Sequence, residues 1–161
     1  MIVCVGLATR DTIYALPRHP EPDDRVVATE RVVAGGGPAA TAAVTIAKLG
    51  GDVRFVGVAD DLPGVDVVRL PGEVVESTIL VSGATRAIIT EEPPGFEAPA
   101  DALAGADWVH VDHVGWASLP VGEFQLSVDG GNPIPTLGLD RVDLYSPTQE
   151  RDDGRRPAAR S

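Results

Sequence analysis

The sequence is poor in several features, and each shortage excludes a class of protein. Its one cysteine, Cys4, cannot form an intrachain disulfide, and because it lies in an apolar run we expect a buried thiol in a reducing compartment. No apolar run approaches the roughly 20 residues of a membrane-spanning helix. Met1 leads into an apolar run without a preceding basic segment, so we expect no secretory signal and predict a cytoplasmic protein.

Positive charge is also scarce. The sequence has 13 lysines and arginines and 24 aspartates and glutamates, which gives a formal net charge of −11. A nucleic acid or an anionic membrane would repel such a surface, so neither partner is expected. With 161 residues, 43% of them apolar, the chain can form one domain with a packed core.

Short apolar runs separated by turn residues predict an α/β protein with a largely parallel sheet. Buried strands are predicted over residues 1–8 and 53–59, and further strands over residues 107–113, 124–131 and 142–148. A helix is predicted over residues 38–49, with proline in its first turn and two glycines after its end, and a shorter one from Pro99. Residues 25–33 suggest a half-exposed strand pair or lid, and residues 74–81 and 86–90 a hairpin. Residues 149–161 contain no apolar residue larger than alanine, and we expect a disordered tail there.

The run "GGGPAATAAV" places Gly35, Gly36 and Gly37 immediately before the predicted helix. Glycine allows a ligand to approach the backbone closely and allows positive φ, and the N–H groups of a helix start can bind electronegative atoms. Two other interpretations stay open. The run is also suited to a plain tight turn, and Gly35-x-Gly37-x-x-Ala40 matches a dinucleotide-binding fingerprint, with Asp60 20 residues beyond Ala40.

Polar side chains lie where two predicted strands end. Asp112 and Asp129 both fall at the carboxyl ends of strands, which is where parallel α/β sheets bind ligands. The segment "HVDH" also invites a metal hypothesis, but in a strand His110 and Asp112 share a face while His113 points away. Two groups make an incomplete set of ligands, so no metal site is predicted.

The order of these landmarks resembles the amino-terminal half of the PfkB/ribokinase family of carbohydrate kinases, over residues 1 to about 148. The motifs that carry the resemblance are "CVGLATRDTIYALP", "VVAGGGPAATAAVTIAKLG", "VRFVGVADD" and "ESTILVSGATRAII". "GGGPAATAAV", "WVHVDHVGW" and "LSVDGGNPIP" are closest in wording to the branch that contains sulfofructose kinase. The resemblance implies a ribokinase-like fold, which is a mostly parallel sheet flanked by helices, with a small β lid formed by residues 25–33 and 74–90.

The resemblance also implies a sugar site. Asp11 matches the aspartate that accepts hydrogen bonds from sugar hydroxyls in the family, although an aspartate before "TIY" also suits a helix or turn cap. Ala40 stands where the family usually has an asparagine, so that sugar contact is lost or replaced. Arg86 is placed to approach an anionic group, and Asp129 is also suited to forming a turn. The implied substrate-binding positions are Asp11, Gly35, Gly36, Gly37, Ala40, Arg86, Asp112 and Asp129.

The family's phosphoryl-transfer machinery is not in the sequence. Relatives are longer, and their carboxyl half carries a Gly-Ala-Gly-Asp motif whose N–H groups stabilise the transferred charge and whose aspartate is the base. The family's Asn-x-x-Glu would fall at residues 148–151, which read "TQER". ATP and Mg²⁺ are therefore implied by the family, but the half that binds them is absent and no catalytic residue is predicted. We expect a truncated kinase that binds a sugar weakly and does not transfer phosphate.

Two further hypotheses stay open beside the kinase. One is a fragment of a dinucleotide-binding oxidoreductase, and the other is a non-catalytic sugar-binding or interaction module. The predicted partners are a small-molecule sugar and, through the lid strands, a second copy of the chain. The connections at residues 61–65 and 112–124 are short for helical crossovers, so we expect either rearranged strands or a sheet that lacks part of its cover.

Overall fold

A computed structural model describes residues 1–135 and 137–147 of the chain, and the strands in that range form two sheets. The strands are β1 (Ile2–Val5), β2 (Thr9–Ala15), β3 (Glu30–Gly36), β4 (Val53–Gly57), β5 (Asp66–Arg69), β6 (Val75–Ser82), β7 (Thr85–Thr90), β8 (Trp108–Val111), β9 (Gln125–Gly130) and β10 (Leu144–Pro147). The helices are α1 (Pro38–Lys48) and α2 (His113–Ser118), with 3-10 turns at Ala100–Leu103 and Leu139–Arg141. None of the helices in these two ranges is long and apolar enough to cross a membrane.

The main sheet has six strands in the order β10-β9-β8-β1-β4-β5, and every pairing in it is parallel. This confirms the mostly parallel α/β sheet. The central strand β1 is covered on both faces, and Val3, Cys4 and Val5 are fully buried. Burial raises the pKa of the Cys4 thiol to about 12, as expected for a buried structural cysteine. The edge strand β5 was not predicted, because its two valines lie between charged residues.

The predicted helix after the glycine run is confirmed as α1. It begins at Pro38 and ends one residue before the predicted boundary, followed by Gly50 and Gly51. Its buried side consists of Ala39, Ala40 and Ala43, which pack against the aromatic ring of Phe55 and other residues of one core cluster. Small side chains allow α1 to lie close to the sheet.

The second core cluster lies on the opposite face of the main sheet. Its buried strand residues are Val3, Val5, Val56, Val109, Val111, Leu126 and Val128. Both short connections join parallel strands. No helix lies between β4 and β5, and β8 and β9 are joined by α2, which has only six residues. The expected gap in the cover is present: beside α1 the sheet forms an open trough whose apolar lining includes Ile46, Trp108 and Leu144.

The second sheet has four strands in the order β3-β2-β6-β7 and forms the lid. The predicted hairpin is confirmed, since β6 and β7 pair antiparallel. The strand predicted over residues 25–33 begins later, at Glu30, and extends through Gly36, because pairing with β2 continues as far as the glycines. β2 itself was missed. It contains Asp11, so the interpretation of Asp11 as a helix or turn cap is wrong.

Candidate functional site

A groove of about 1270 Å³ lies between the lid and the main sheet and continues into the trough beside α1. The glycine run forms part of its wall. The lid contributes the polar side chains Thr9, Asp11, Ser77, Arg86 and Thr90, and the main sheet contributes His110, Ser127 and Asp129. The groove therefore brings together six of the eight positions predicted to contact substrate, which are Asp11, Gly35, Gly36, Gly37, Arg86 and Asp129.

The carboxylate of Asp11 lies directly against the glycine run. β2 and β3 pair antiparallel with Asp11 opposite Ala34 and Thr9 opposite Gly36. A Cβ on Gly36 would overlap the Asp11 carboxylate and would lie 2.6 Å from Thr9 Oγ1. The absence of a side chain at Gly36 is thus what allows the carboxylate to sit over the backbone at this place.

The other two glycines differ from Gly36 in their surroundings. Gly37 is the residue before α1 and has φ of +90°, and a Cβ there would overlap Leu7 O and lie 2.7 Å from Ala8 Cα. A Cβ on Gly35 would meet no atom within 4 Å. Gly37 is therefore required by the fold, whereas Gly35 leaves open space beside the groove.

Arg86 and Asp129 line the groove from opposite sides. Arg86 lies on β7 and is exposed. Asp129 lies near the carboxyl end of β9, where its Oδ1 accepts a hydrogen bond of 2.6 Å from the N–H of Gly131. Asp129 thus forms the predicted turn and also faces the groove, so the two interpretations of this residue are compatible.

The structure corrects the prediction that Asp112 faces a sugar. Asp112 is 1% exposed and does not line the groove. Its side chain caps α2 by accepting hydrogen bonds from the N–H groups of Val114 and Gly115, and it also accepts from Leu7 and Ala39. A carboxylate has about four lone-pair directions, and all four are directed at backbone donors here.

Ala40 lies in the core beneath the groove. It is 2% exposed, packs in the cluster around Phe55, and its N–H donates to Leu7 O at 3.3 Å. The role given to Ala40 at the sugar site stays a prediction.

Several groove residues were not found from the sequence. Thr9, Ser77 and Thr90 line the groove from three different lid strands, and the hydroxyls of Ser77 and Thr90 are 2.9 Å apart. The strands that carry them read "TRDTIYA", "VESTILVS" and "TRAIIT", without a regular alternation of polar and apolar residues, so the sequence gives no signal of which face meets the main sheet.

His110 is a groove residue whose pKa is shifted by its surroundings. Its Nδ1 lies 2.9 Å from Ser127 Oγ. Burial lowers the pKa of His110, and the nearby carboxylates of Asp129 and Asp112 partly oppose this effect. Within residues 1–135 and 137–147, no three histidine, cysteine, aspartate or glutamate side chains are grouped so that they would hold a metal ion.

The lowered pKa of His110 predicts a loss of stability in mild acid. The unfolded chain has the higher pKa, about 6.5, so it takes up the proton first as the pH falls. The stabilisation from neutral His110 is therefore complete above about pH 6.5 and declines as the pH falls toward the folded-state pKa. We expect the decrease in urea midpoint between pH 7.5 and pH 5.0 to be smaller for His110→Asn than for the wild type. Equal decreases in the urea midpoint of the two proteins would show that His110 does not cause the loss of stability in acid.

The geometry disfavours the dinucleotide fingerprint. That fingerprint requires the glycines to join a parallel strand to the helix of a βαβ unit. Here β3 pairs antiparallel in the lid, and Asp60 lies 2.6 Å from Arg10 in an ion pair.

Comparison with solved structures agrees with this arrangement, although no protein-family model matches the chain. The chain is similar to the ribokinase of Thermotoga maritima, with 20% identity, a TM-score of 0.72, and coverage of 93% of this chain and 60% of that one. It is similar to the Arabidopsis thaliana ribokinase complexed with ribose and ATP, with 20% identity, a TM-score of 0.64 and coverage of 91% and 59%. It is also similar to the nucleoside kinase of Methanocaldococcus jannaschii, with 18% identity, a TM-score of 0.60, and coverage of 89% of this chain and 59% of that one.

These likenesses establish the fold. The chain has the ribokinase-like α/β fold with its β lid, as the sequence resemblance predicted. It spans between 52% and 60% of the length of the first three structures that it matches.

Proposed function

We propose that this chain is the sugar-binding and lid part of a PfkB-type carbohydrate kinase, whose overall reaction is the ATP-dependent phosphorylation of a sugar hydroxyl. The observation that carries this proposal is the carboxylate of Asp11 lying against Gly36, inside a groove between a four-stranded lid and a parallel sheet. The likeness in fold to ribokinases supports it.

The chemistry of the groove suits a polyhydroxylated molecule. A carboxylate can accept hydrogen bonds from two neighbouring hydroxyls and so fix the orientation of a sugar. The open space at Gly35 allows the ligand to approach the backbone. The hydroxyls of Ser77 and Thr90 add donors and acceptors on the same wall.

The identity of the sugar is a further part of the proposal. Arg86 is exposed at the groove and would pair with an anionic substituent, as a sulfonated sugar of the sulfofructose kinase branch carries. The A. thaliana ribokinase that the chain resembles is complexed with ribose and ATP, which makes ribose the neutral alternative.

We propose that these 161 residues do not themselves transfer phosphate. No Gly-Ala-Gly-Asp motif occurs in the sequence. Among the described residues, no three histidine, cysteine, aspartate or glutamate side chains are grouped so that they would hold Mg²⁺. The proposed setting is the cytoplasm. A homodimer through the lid strands is supported by the exposed Val33 and Ile89.

Ligand-induced stabilisation and calorimetry test the proposal. We expect D-ribose or 6-deoxy-6-sulfofructose to raise the melting temperature and to bind saturably, whereas NAD and FAD leave the melting temperature unchanged. Protection by NAD or FAD would instead support the oxidoreductase hypothesis, and protection by none of the four would contradict the sugar site. Sugar-dependent ATP hydrolysis by the purified chain would contradict the proposed inactivity.

A further inference from the structure

Asp112 accepts more hydrogen bonds than the capping of a helix requires. Its Oδ1 accepts from the N–H groups of Val114 and Gly115 at 2.9 and 3.0 Å, which caps α2. Its Oδ2 accepts from Leu7 at 2.8 Å and from Ala39 at 3.2 Å. A serine would suffice as a cap, so the second oxygen serves another purpose.

The two donors to Oδ2 belong to the two links that join the main sheet to the lid strands β2 and β3. Leu7 lies between β1 and β2, where the chain leaves the main sheet toward the strand that carries Asp11. Ala39 lies in the first turn of α1, where the chain returns from the lid through the glycine run. The N–H of Ala40 also donates to Leu7 O, so the two links are bonded to each other as well as to Asp112.

The surrounding backbone leaves room for this carboxylate. Gly6 has φ of +152°, and a Cβ there would lie 2.5 Å from Asp112 Cγ. Gly115 is similarly constrained, because a Cβ there would lie 2.6 Å from the carbonyl carbon of Val5. Gly6 therefore leaves room for the carboxylate, and Gly115 lets the start of α2 lie close to the end of β1. Together they allow an almost fully buried carboxylate to reach donors on three segments.

We propose that Asp112 is a positioning residue for the sugar site: it fixes the strand that carries Asp11 and the glycine run relative to each other and to the main sheet. It does so without touching the ligand, through the hydrogen bonds of Oδ2 to Leu7 and Ala39. The consequence for sugar affinity rests on the function proposed above, whereas the effect on the two links does not.

Asp112→Ser separates capping from positioning. The serine hydroxyl can cap α2 but is too short to reach both links. Amide hydrogen exchange followed by NMR should show protection at Val114 and Gly115 within about 3-fold of the wild type. At Leu7 and Ala39 it should fall at least about tenfold, and the Gly36 amide resonance should shift. By calorimetry, the Kd for D-ribose should rise at least about tenfold.

Asp143→Asn is the matched control. Asp143 Oδ2 also accepts a backbone hydrogen bond, from Leu126 at 2.9 Å, but in a part of the main sheet away from the lid links. We expect this variant to keep the wild-type exchange at Leu7 and Ala39 and the wild-type Kd. The wild type provides a further test that requires no substitution, because its Leu7 and Ala39 amides should be protected as strongly as that of Gly115.

The outcomes separate the two proposals. Unprotected Leu7 and Ala39 amides in the wild type, or an Asp112→Ser variant in which only Val114 and Gly115 lose protection, would reduce Asp112 to a helix cap. Loss of link protection with an unchanged Kd for D-ribose would also overturn the positioning role. If the wild type does not bind D-ribose, the sugar proposal is weakened, and the exchange rates and the Gly36 resonance still decide whether Asp112 holds the links.

Discussion

Gly37→Ala is expected to destabilise the protein by about 2–5 kcal/mol. This value adds the free-energy cost of a strained positive φ to the cost of an overpacked contact. Gly37 has φ of +90°, and its Cβ would overlap the carbonyl oxygen of Leu7. Neither the helix start nor the link at Leu7 can move freely, because both are hydrogen-bonded to Asp112. In a domain of this size the melting temperature should fall by roughly 5–15 °C.

Gly35→Ala, two positions earlier, is the matched control. A Cβ there would meet no atom within 4 Å, and φ at this residue is not positive. We expect its free energy of unfolding to stay within about 0.5 kcal/mol of the wild type. Urea unfolding measures the free energy of unfolding of both variants. Equal destabilisation by the two substitutions would contradict the conclusion that the fold requires glycine at position 37 but not at position 35.

Asp11→Asn is expected to lower the affinity for the sugar by about 10- to 100-fold, since a hydrogen bond to a charged group contributes about 1.5–3 kcal/mol. The substitution keeps the shape of the side chain over Gly36 but removes the charge. Because Asp11 lies on a lid strand and in neither core cluster, the free energy of unfolding should change by less than about 0.5 kcal/mol.

Calorimetric titration with the sugar that binds the wild type measures this effect. Asp101→Asn provides the control, because Asp101 is an exposed carboxylate that does not line the groove. An Asp11→Asn variant with the wild-type Kd would remove Asp11 from the site. Loss of binding together with a large loss of stability would indicate a structural role for Asp11 instead.

The parts of the fold that were predicted correctly depend on local patterns. α1 combines a proline in its first turn, small residues at helical spacing and two glycines after its end, and these signals lie within a few residues of one another. The buried strand β1 is a continuous apolar run, and β4 is apolar apart from Arg54. β2 was missed because "TRDTIYA" has four polar residues followed by three apolar ones, without the alternation typical of a strand, and only its neighbours β3 and β6 make it a strand.

Asp112 shows why the site was harder to predict than the fold. From the sequence it is a polar residue at the end of a strand, and that position alone favoured contact with a ligand. Its donors Leu7 and Ala39 are 105 and 73 residues away along the chain. No local pattern shows that these distant N–H groups occupy the second oxygen of the carboxylate.

The sequence by itself determined the class of fold and the start of α1, because these follow from local residue spacing and turn signals. The proximity of Asp11 to Gly36 depends instead on the pairing of β2 with β3. Only the tertiary structure decided which polar residues face the groove and which are buried and hydrogen-bonded inside the protein. Asp11 and Asp112 are chemically identical, and they differ because one lies on the lid face and the other is surrounded by backbone donors from three separate segments.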